Sequence, residues 1–571
     1  MGPMRSPCLL AFTALVVVAC SSEPHETTGS GGAGASGGSG GEGGAPLPPT
    51  GPITGAVTRY TYAFDLTTAH ARAQIDVEVA APGGDCFGVA CGQPASAVTW
   101  NDAPASSAAV QDGSLAACGP GIAAGEPLRV AAEVDVPEQT FFGLDIGFSR
   151  KKDLDGGDFA YLLSWVGGCD RFGPCDDHPS RLSSFHFDVT HPSGTVVLCP
   201  GALTAGETLT QCDLQGTLAP TYSAFGFAAS TLWKRSLFAT AAGVDLVFYE
   251  TPSGGLAKAL EAPSVSSFMT WITGLLGPFP YGKELRFAGA PTAWLGFEHP
   301  GNVLLRDDLP SLALDYPNGT MHVLMHETVH QWAGDRTTLA ETADFVWKEA
   351  TAEYLSYVFE DEQRPPGEAD ASLEYWDSIS LQAAHYPRPT EDPTPPVQTF
   401  YGDVYGPGPM VLFVQLESML GREATLGGIK AFLAEPGARR VSDLRAALEQ
   451  SSGQDLKPYF DTWVFGTGKP EWPTFAVSAS QVGDQVTVTV TQQNASKKLY
   501  GCKVEIEVVG ATQKVLAAVD FGLAPTSAVA SATVTLAEPV ASTVLDPRHR
   551  LVGRLAGGSA APEPERPIWP L

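Results

Sequence analysis

The 571-residue sequence predicts a multidomain α+β protein, on its length, a change of hydrophobic period near Pro252, and a return to alternation near Pro470. A chain this long with 44% hydrophobic content exceeds one compact core, so three or four domains are expected. From about Thr58 to Glu250 the apolar residues form short, often alternating runs cut by Gly, Pro, Asp and Ser. Ala73 to Val79, Leu128 to Val136, Phe185 to Val189, Thr195 to Leu198 and Val244 to Tyr249 are the clearest, and they predict an N-terminal antiparallel β domain over 55–251. After Pro252 helical spacing takes over in Val265 to Leu276, Thr320 to Trp332, Leu339 to Phe359 and Met410 to Leu420, giving a mixed domain over 252–470. Alternation in Thr474 to Ser478 and Gln485 to Val490, with further strands to Val544, predicts a small C-terminal β-sandwich over 471–555. Residues 556–571 read as a disordered tail.

The first residues look like a targeting segment over 1–19: Arg5, an apolar run from Leu9 to Val18, then Val17-Val18-Ala19-Cys20. The run is too short to span a membrane permanently. Its ending resembles the lipobox of bacterial lipoproteins, which implies cleavage before Cys20 and a lipid on that cysteine. Ser21 after it, in place of Asp, resembles a signal for the outer membrane or cell surface. Residues 20–54, rich in Gly, Ser and Pro, read as a flexible tether. Membrane contact through that lipid and a monomeric chain are the expectations.

With 34 basic against 63 acidic side chains, the formal charge of −29 repels phosphate backbones and argues against nucleic acid as a partner. Beyond Cys8 and Cys20 there are eight cysteines. In an oxidising compartment the near neighbours Cys86/Cys91, Cys169/Cys175 and Cys199/Cys212 could each close a small loop, although spacing leaves the connectivity open. No two close CxxC pairs exist to suggest a cysteine zinc site.

The chemistry is carried by His326-Glu327-Thr328-Val329-His330, inside a helical pattern expected to run from near Thr320 to Gly334. Residues four apart share a helix face, so both imidazoles can reach one Zn²⁺ while Glu327 points into the same pocket. Such a pattern arises by chance roughly once in a hundred chains of this histidine content. Glu349 follows in the next helical segment, within Trp347-Lys348-Glu349-Ala350-Thr351-Ala352-Glu353-Tyr354. Two histidines, one carboxylate and a water make an open, catalytic type of zinc site.

His326 to Asp335 resembles the HExxHQWFGN motif of the aminopeptidase N family of gluzincins, which includes the leukotriene-epoxide hydrolase type. Asp344 and Glu349 resemble its DLWLNEG block, with Lys348 in place of Asn and Ala350 in place of Gly. Leu295 to Gly301 is similar to its exopeptidase segment, with Phe297 for Met, which implies that Gly296 and Phe297 line the substrate and that Glu298 binds a free α-ammonium. A carboxylate suits that task, because a desolvated ammonium needs a charge partner. Val404-Tyr405-Gly406-Pro407-Gly408-Pro409 resembles the catalytic SYxKG block, implying Tyr405 as the oxyanion donor, with Tyr401 its rival. Gly173 to Pro179 resembles the FPCFDEP block. The glutamine-bearing segment before it has no counterpart; Trp165 and the Cys169 loop occupy that region. The resemblance implies a thermolysin-like α/β catalytic domain, one zinc ion, and hydrolysis of the first peptide bond of peptides with a free N-terminus.

On this reading Glu327 is the general base and Glu353, one turn beyond Glu349, a candidate to orient a ligand histidine. His322 shares the face of His326, yet three successive helical histidines cannot all meet one metal, so it is expected to be a hydrogen-bonded neighbour, and His299 a pocket wall. Within enzymes the rivals are an endopeptidase and an epoxide hydrolase. The rival of another class is a silent, envelope-tethered binding protein, which would need none of Glu327, Tyr405 and the three ligands.

Overall fold

The computed structural model describes residues 48–556 apart from 142–145, 215, 315, 317 and 391–405. Cys20, Tyr401 and Tyr405 lie outside the described residues.

The N-terminal part centres on a sheet whose middle strands are β1 (Gly55–Asp65), β2 (His70–Val79), β3 (Pro127–Asp135) and β4 (Leu182–Thr190). Alternate residues are buried in each, for example Tyr60, Tyr62 and Phe64 in β1 and Ile75, Val77 and Val79 in β2, the period that one packed face demands. The pairing is mainly antiparallel, β1 to β2 and β2 to β3, but β4 lies parallel to β1, with Phe185 opposite Tyr60 and Phe187 opposite Tyr62. A parallel neighbour needs a long crossover, and the residues from 66 to 181 supply it.

The middle part is built on a five-stranded sheet of β5 (Lys234–Ala241), β6 (Val244–Glu250), β7 (Glu284–Ala290), β8 (Gly296–His299) and β9 (Asn302–Arg306), in the order β5-β6-β7-β9-β8. β6, β7 and β9 run parallel, and the two edges, β5 and β8, are antiparallel. Helix α1 (Ala262–Leu276) connects β6 to β7 and buries Val265, Phe268, Met269, Ile272 and Leu276, one stripe at helical spacing. Helix α2 (Gly319–Val329) packs beside the sheet and α3 (Phe345–Gln363) packs on α2, and both are buried nearly all round.

Two helix boundaries differ from expectation. α2 stops at Val329 and not Gly334, because Trp332 and Ala333 turn back to donate to the Val329 carbonyl and Gly334 takes φ 139°. The segment at Leu339 is not helical: Thr337–Leu339 is a short strand parallel to Gly437–Arg439, and α3 begins only at Phe345. Further on, Gly406 leads through Pro407–Pro409 into a π-helical turn over Met410–Val414. No helix among the described residues is long and apolar enough to cross a membrane.

The C-terminal part is a two-sheet sandwich. Thr474–Val482, Gln485–Gln492, Val529–Thr535 and Arg554–Leu555 form one sheet, and Lys503–Val509, Lys514–Asp520 and Ser542–Leu545 the other. Val486, Val488, Val490, Val504, Ile506 and Val508 are buried between them.

Disulfides join Cys169 to Cys175 and Cys199 to Cys212, but Cys86 pairs with Cys118 and not with Cys91, which is free and buried like Cys502. Cys86 lies in the strand Gly83–Ala90, directly opposite Cys118 of the strand Ser114–Ala123. Five residues of extended chain separate Cys86 from Cys91 by roughly 16 Å, beyond the reach of one bridge. Non-reducing peptide mapping should therefore recover a Cys86–Cys118 peptide, with Cys91 and Cys502 alkylated only after denaturation. Removing the Cys86–Cys118 bridge should cost about 3–4 kcal/mol by loop closure; a Cys86–Cys91 peptide would contradict this arrangement.

Candidate metal centre

Helix α2 starts where the Asn318 side chain accepts from the Met321 N–H (3.1 Å), satisfying one donor of its first turn. His330 follows its last residue with φ −57° and ψ −21°, so the helical spacing from His326 to His330 is kept. His326 Nε2 and His330 Nε2 lie 3.0 Å apart. Glu349 on α3 brings Oε2 to 3.3 Å from His326 Nε2 and 3.6 Å from His330 Nε2. These three residues are the only buried His, Cys, Asp and Glu group among the described residues whose donor atoms converge in this way.

The donor set fits a zinc ion. Donors at these separations share a point roughly 2 Å from each, the length of a zinc–nitrogen or zinc–oxygen bond. The second nitrogens are also occupied: His330 Nδ1 donates to the Ala333 carbonyl (2.9 Å), and Glu353 Oε1 stands 3.1 Å from His326 Nδ1. Both Nε2 lone pairs are thereby left facing the same spot. Glu353 thus has the orienting position expected of it.

Glu327 is buried beside edge strand β8, and a Cβ on Gly296 would lie 2.4 Å from its Oε1, so only glycine lets carboxylate and strand approach this closely. Burial pushes the Glu327 carboxyl up to about 8, against the cationic influence of His326 and Lys348. Gln331 ties helix to strand: its side-chain oxygen accepts from the Gly301 N–H (2.8 Å) and its amide donates to the His299 carbonyl (3.2 Å). Phe297 is buried in a ring cluster with Trp165, Trp294 and His299, at centroid distances of 5.9, 6.5 and 4.9 Å. His299 is a wall residue, as expected. Burial drives its imidazole down to about 4, and its Nδ1 donates to the Ser223 carbonyl (2.6 Å).

Glu298 sits on β8 opposite Val303, and it is not a free carboxylate. Lys348 Nζ lies 2.8 Å from Glu298 Oε1 and 2.8 Å from Glu349 Oε1. Against the cost of burial, this ammonium holds both carboxyls below the usual range, and they in turn keep Lys348 charged. The lysine also lies over the rings of Trp165 (5.7 Å) and Phe345 (5.5 Å). Its path is opened by Gly334, where a Cβ would stand 2.8 Å from Lys348 Cε. Sequence reasoning treated Lys348 as a flanking departure and missed this role. Nothing local signals the pairing, because Glu298 is 50 residues away. Asp335, also fully buried, is pushed well above the carboxylate range by burial and by Glu298.

His322 does not reach the metal donors. Its Nδ1 donates to Glu360 Oε2 (3.2 Å), its Nε2 donates to Glu353 Oε2 (3.0 Å), and Tyr316 stacks on it at 3.6 Å. Asp344, at the head of α3, accepts from Arg388 Nε (3.0 Å) and from the Val441 N–H (3.1 Å), anchoring the helix that carries Glu349. Gly408, three residues past Tyr405, lies against the same helix: a Cβ there would be 2.9 Å from Val346 and 3.3 Å from Ala350. The N-terminal part also buttresses the site, Tyr222 donating to the Gly334 carbonyl (2.8 Å) and Thr338 to the Pro179 carbonyl (2.7 Å).

Residues 298–463 match the Peptidase family M1 domain. The chain is 27% identical over 201 residues to "Probable aminopeptidase 1" of Saccharolobus solfataricus, covering 34% of this chain and 25% of that one. It is 27% identical over 186 residues to "Aminopeptidase N" of Lactococcus lactis, covering 30% and 21%. The matched segments thus span about a quarter of those relatives' length. The crystal structure of Legionella pneumophila aminopeptidase A in complex with aspartic acid shares the fold with a TM-score of 0.68 at 17% identity, over 89% of this chain and 60% of that one. The donor triad His326, His330 and Glu349, with Glu327 beside it, lies within the stretch that matches the Peptidase family M1 domain, and most of the chain shares its fold with an aminopeptidase of known structure.

Proposed function

We propose that this protein is a zinc metallo-aminopeptidase that removes residues from the N-terminus of peptides. The observation that carries the reading is the convergence of His326, His330 and Glu349 with Glu327 beside them. Zinc, when bound by the three donors, supplies Lewis acidity toward a water and the scissile carbonyl. Glu327 takes the proton of the attacking water and returns it to the leaving amine, and its burial gives it the basicity for that transfer. Tyr405 is assigned the hydrogen bond to the developing oxyanion, a reading supported by Gly406–Pro409, which pack against α3 immediately after it. Gly296 and Phe297 belong to an edge strand whose backbone can pair with an extended peptide, and Glu298 on the same strand marks the N-terminal end of the substrate. The three disulfides suit an exported enzyme, and a lipid on Cys20 would hold it at the outer membrane or cell surface as a monomer.

One observation favours a second reading. A substrate ammonium at Glu298 must share that carboxylate with Lys348, whereas an uncharged peptide nitrogen meets no such competition. On that reading the enzyme cleaves blocked or internal bonds as an endopeptidase.

Replacing Glu327 by Gln should leave one zinc per chain by metal analysis and lower kcat by about 10²–10⁴-fold; unaltered kcat would refute the mechanism. Dialysis against a chelator should abolish hydrolysis of aminoacyl fluorogenic substrates, and stoichiometric zinc should restore it. Persistence of full activity in the metal-free protein would rule out a metallopeptidase. Free and N-acetylated peptides separate the two readings: the aminopeptidase cleaves only the free form, and Lys348→Asn, by releasing Glu298, lowers KM for it about tenfold. Equal cleavage of the acetylated form selects the endopeptidase.

A further inference from the structure

Five buried side chains alternate between carboxylate and imidazole from the last turns of α3 to the metal donors: Glu360, His322, Glu353, His326 and, across the shared point, Glu349. His322 is the centre of this row. Both of its ring nitrogens face carboxylate oxygens, at 3.2 Å and 3.0 Å, and an ionised carboxylate only accepts, so both nitrogens carry hydrogens and the ring is an imidazolium. Its burial between Glu353 and Glu360, with 1% of its side chain exposed, makes that charge dependent on both partners. Consistently, the two carboxylates outweigh burial and raise the imidazole to about 9.

Glu353 is the member that touches a metal ligand, and His322 governs how. With one oxygen engaged by the imidazolium, the carboxylate is held in one rotamer, and its other oxygen is directed at His326 Nδ1. Without His322, Glu353 and Glu360 become two buried carboxylates with no cation between them. One of them takes up a proton or turns away, and the tautomer of His326 loses its anchor.

We propose that His322 and Glu360 are positioning residues of the metal centre, acting through Glu353 to fix His326 in the orientation and tautomer that binds zinc. The inference rests on the zinc reading above, but it concerns metal affinity, which is read without turnover.

The experiment measures zinc dissociation constants by competition with a chromophoric chelator on the full chain, for the parent, His322→Gln and Glu360→Gln. Each sample is checked for folding by circular dichroism in the metal-free state. Loss of a ligand-orienting partner costs about 10–100-fold in metal affinity. His322→Gln is expected to weaken zinc binding in that range, and Glu360→Gln to shift it in the same direction by less, with KM for substrate unchanged at saturating zinc. Glu360→Gln preserves shape and serves if His322→Gln does not fold. Zinc affinities within twofold of the parent in a folded variant would overturn the inference while leaving the peptidase reading intact. A parent protein that binds no zinc would overturn both.

Discussion

Two imidazole lone pairs 3.0 Å apart, with a carboxylate oxygen 3.3 and 3.6 Å from them, concentrate electron density at one buried point. In a low-dielectric interior a cation at that point, a metal ion or a shared proton, relieves the mutual repulsion of these donors. The elements around it support that convergence. α2 carries both histidines on one face, and α3 is anchored at its head by Asp344 so that Glu349 arrives at the right height. Gln331 locks the end of α2 to the hairpin that bears Glu298.

Around this point lie an unusual number of fully buried charges, and they are compensated in pairs. Lys348 divides its charge between Glu298 and Glu349, and His322 divides its own between Glu353 and Glu360. Removing one member of such a set costs more than the pair contributes, since the survivor is left charged and dry. The two compensations differ in consequence. The histidine pair lies behind His326 and reaches it only through Glu353. The lysine pair lies at the edge strand Gly296–His299 and leaves Glu298 already neutralised.

The other parts hold the site from outside. A short helix and a loop beside the N-terminal sheet contribute Tyr222 and Pro179, which reach the strand Thr337–Leu339 and the turn at Gly334 that makes room for Lys348. Disulfides stiffen the N-terminal part, where short strands and long connections leave the chain most to gain from cross-links.

The sequence by itself determined that His326 and His330 share a face, and where strand changes to helix and back, because these are carried by local periodicity: two histidines a helical turn apart lie together whatever surrounds them. It read the ends of α2 and α3 less well, since Gly334 and the pairing of Thr337–Leu339 with Gly437–Arg439 ended helices that the apolar spacing would have prolonged. Tertiary structure alone decided that Cys86 meets Cys118, that Glu298 is already paired, and that His322 joins Glu353 to Glu360. Each of these unites residues 31 to 50 positions apart. Which opposite charge or sulfur a side chain meets over such a span follows from how strands and helices pack, and spacing along the chain carries no record of it.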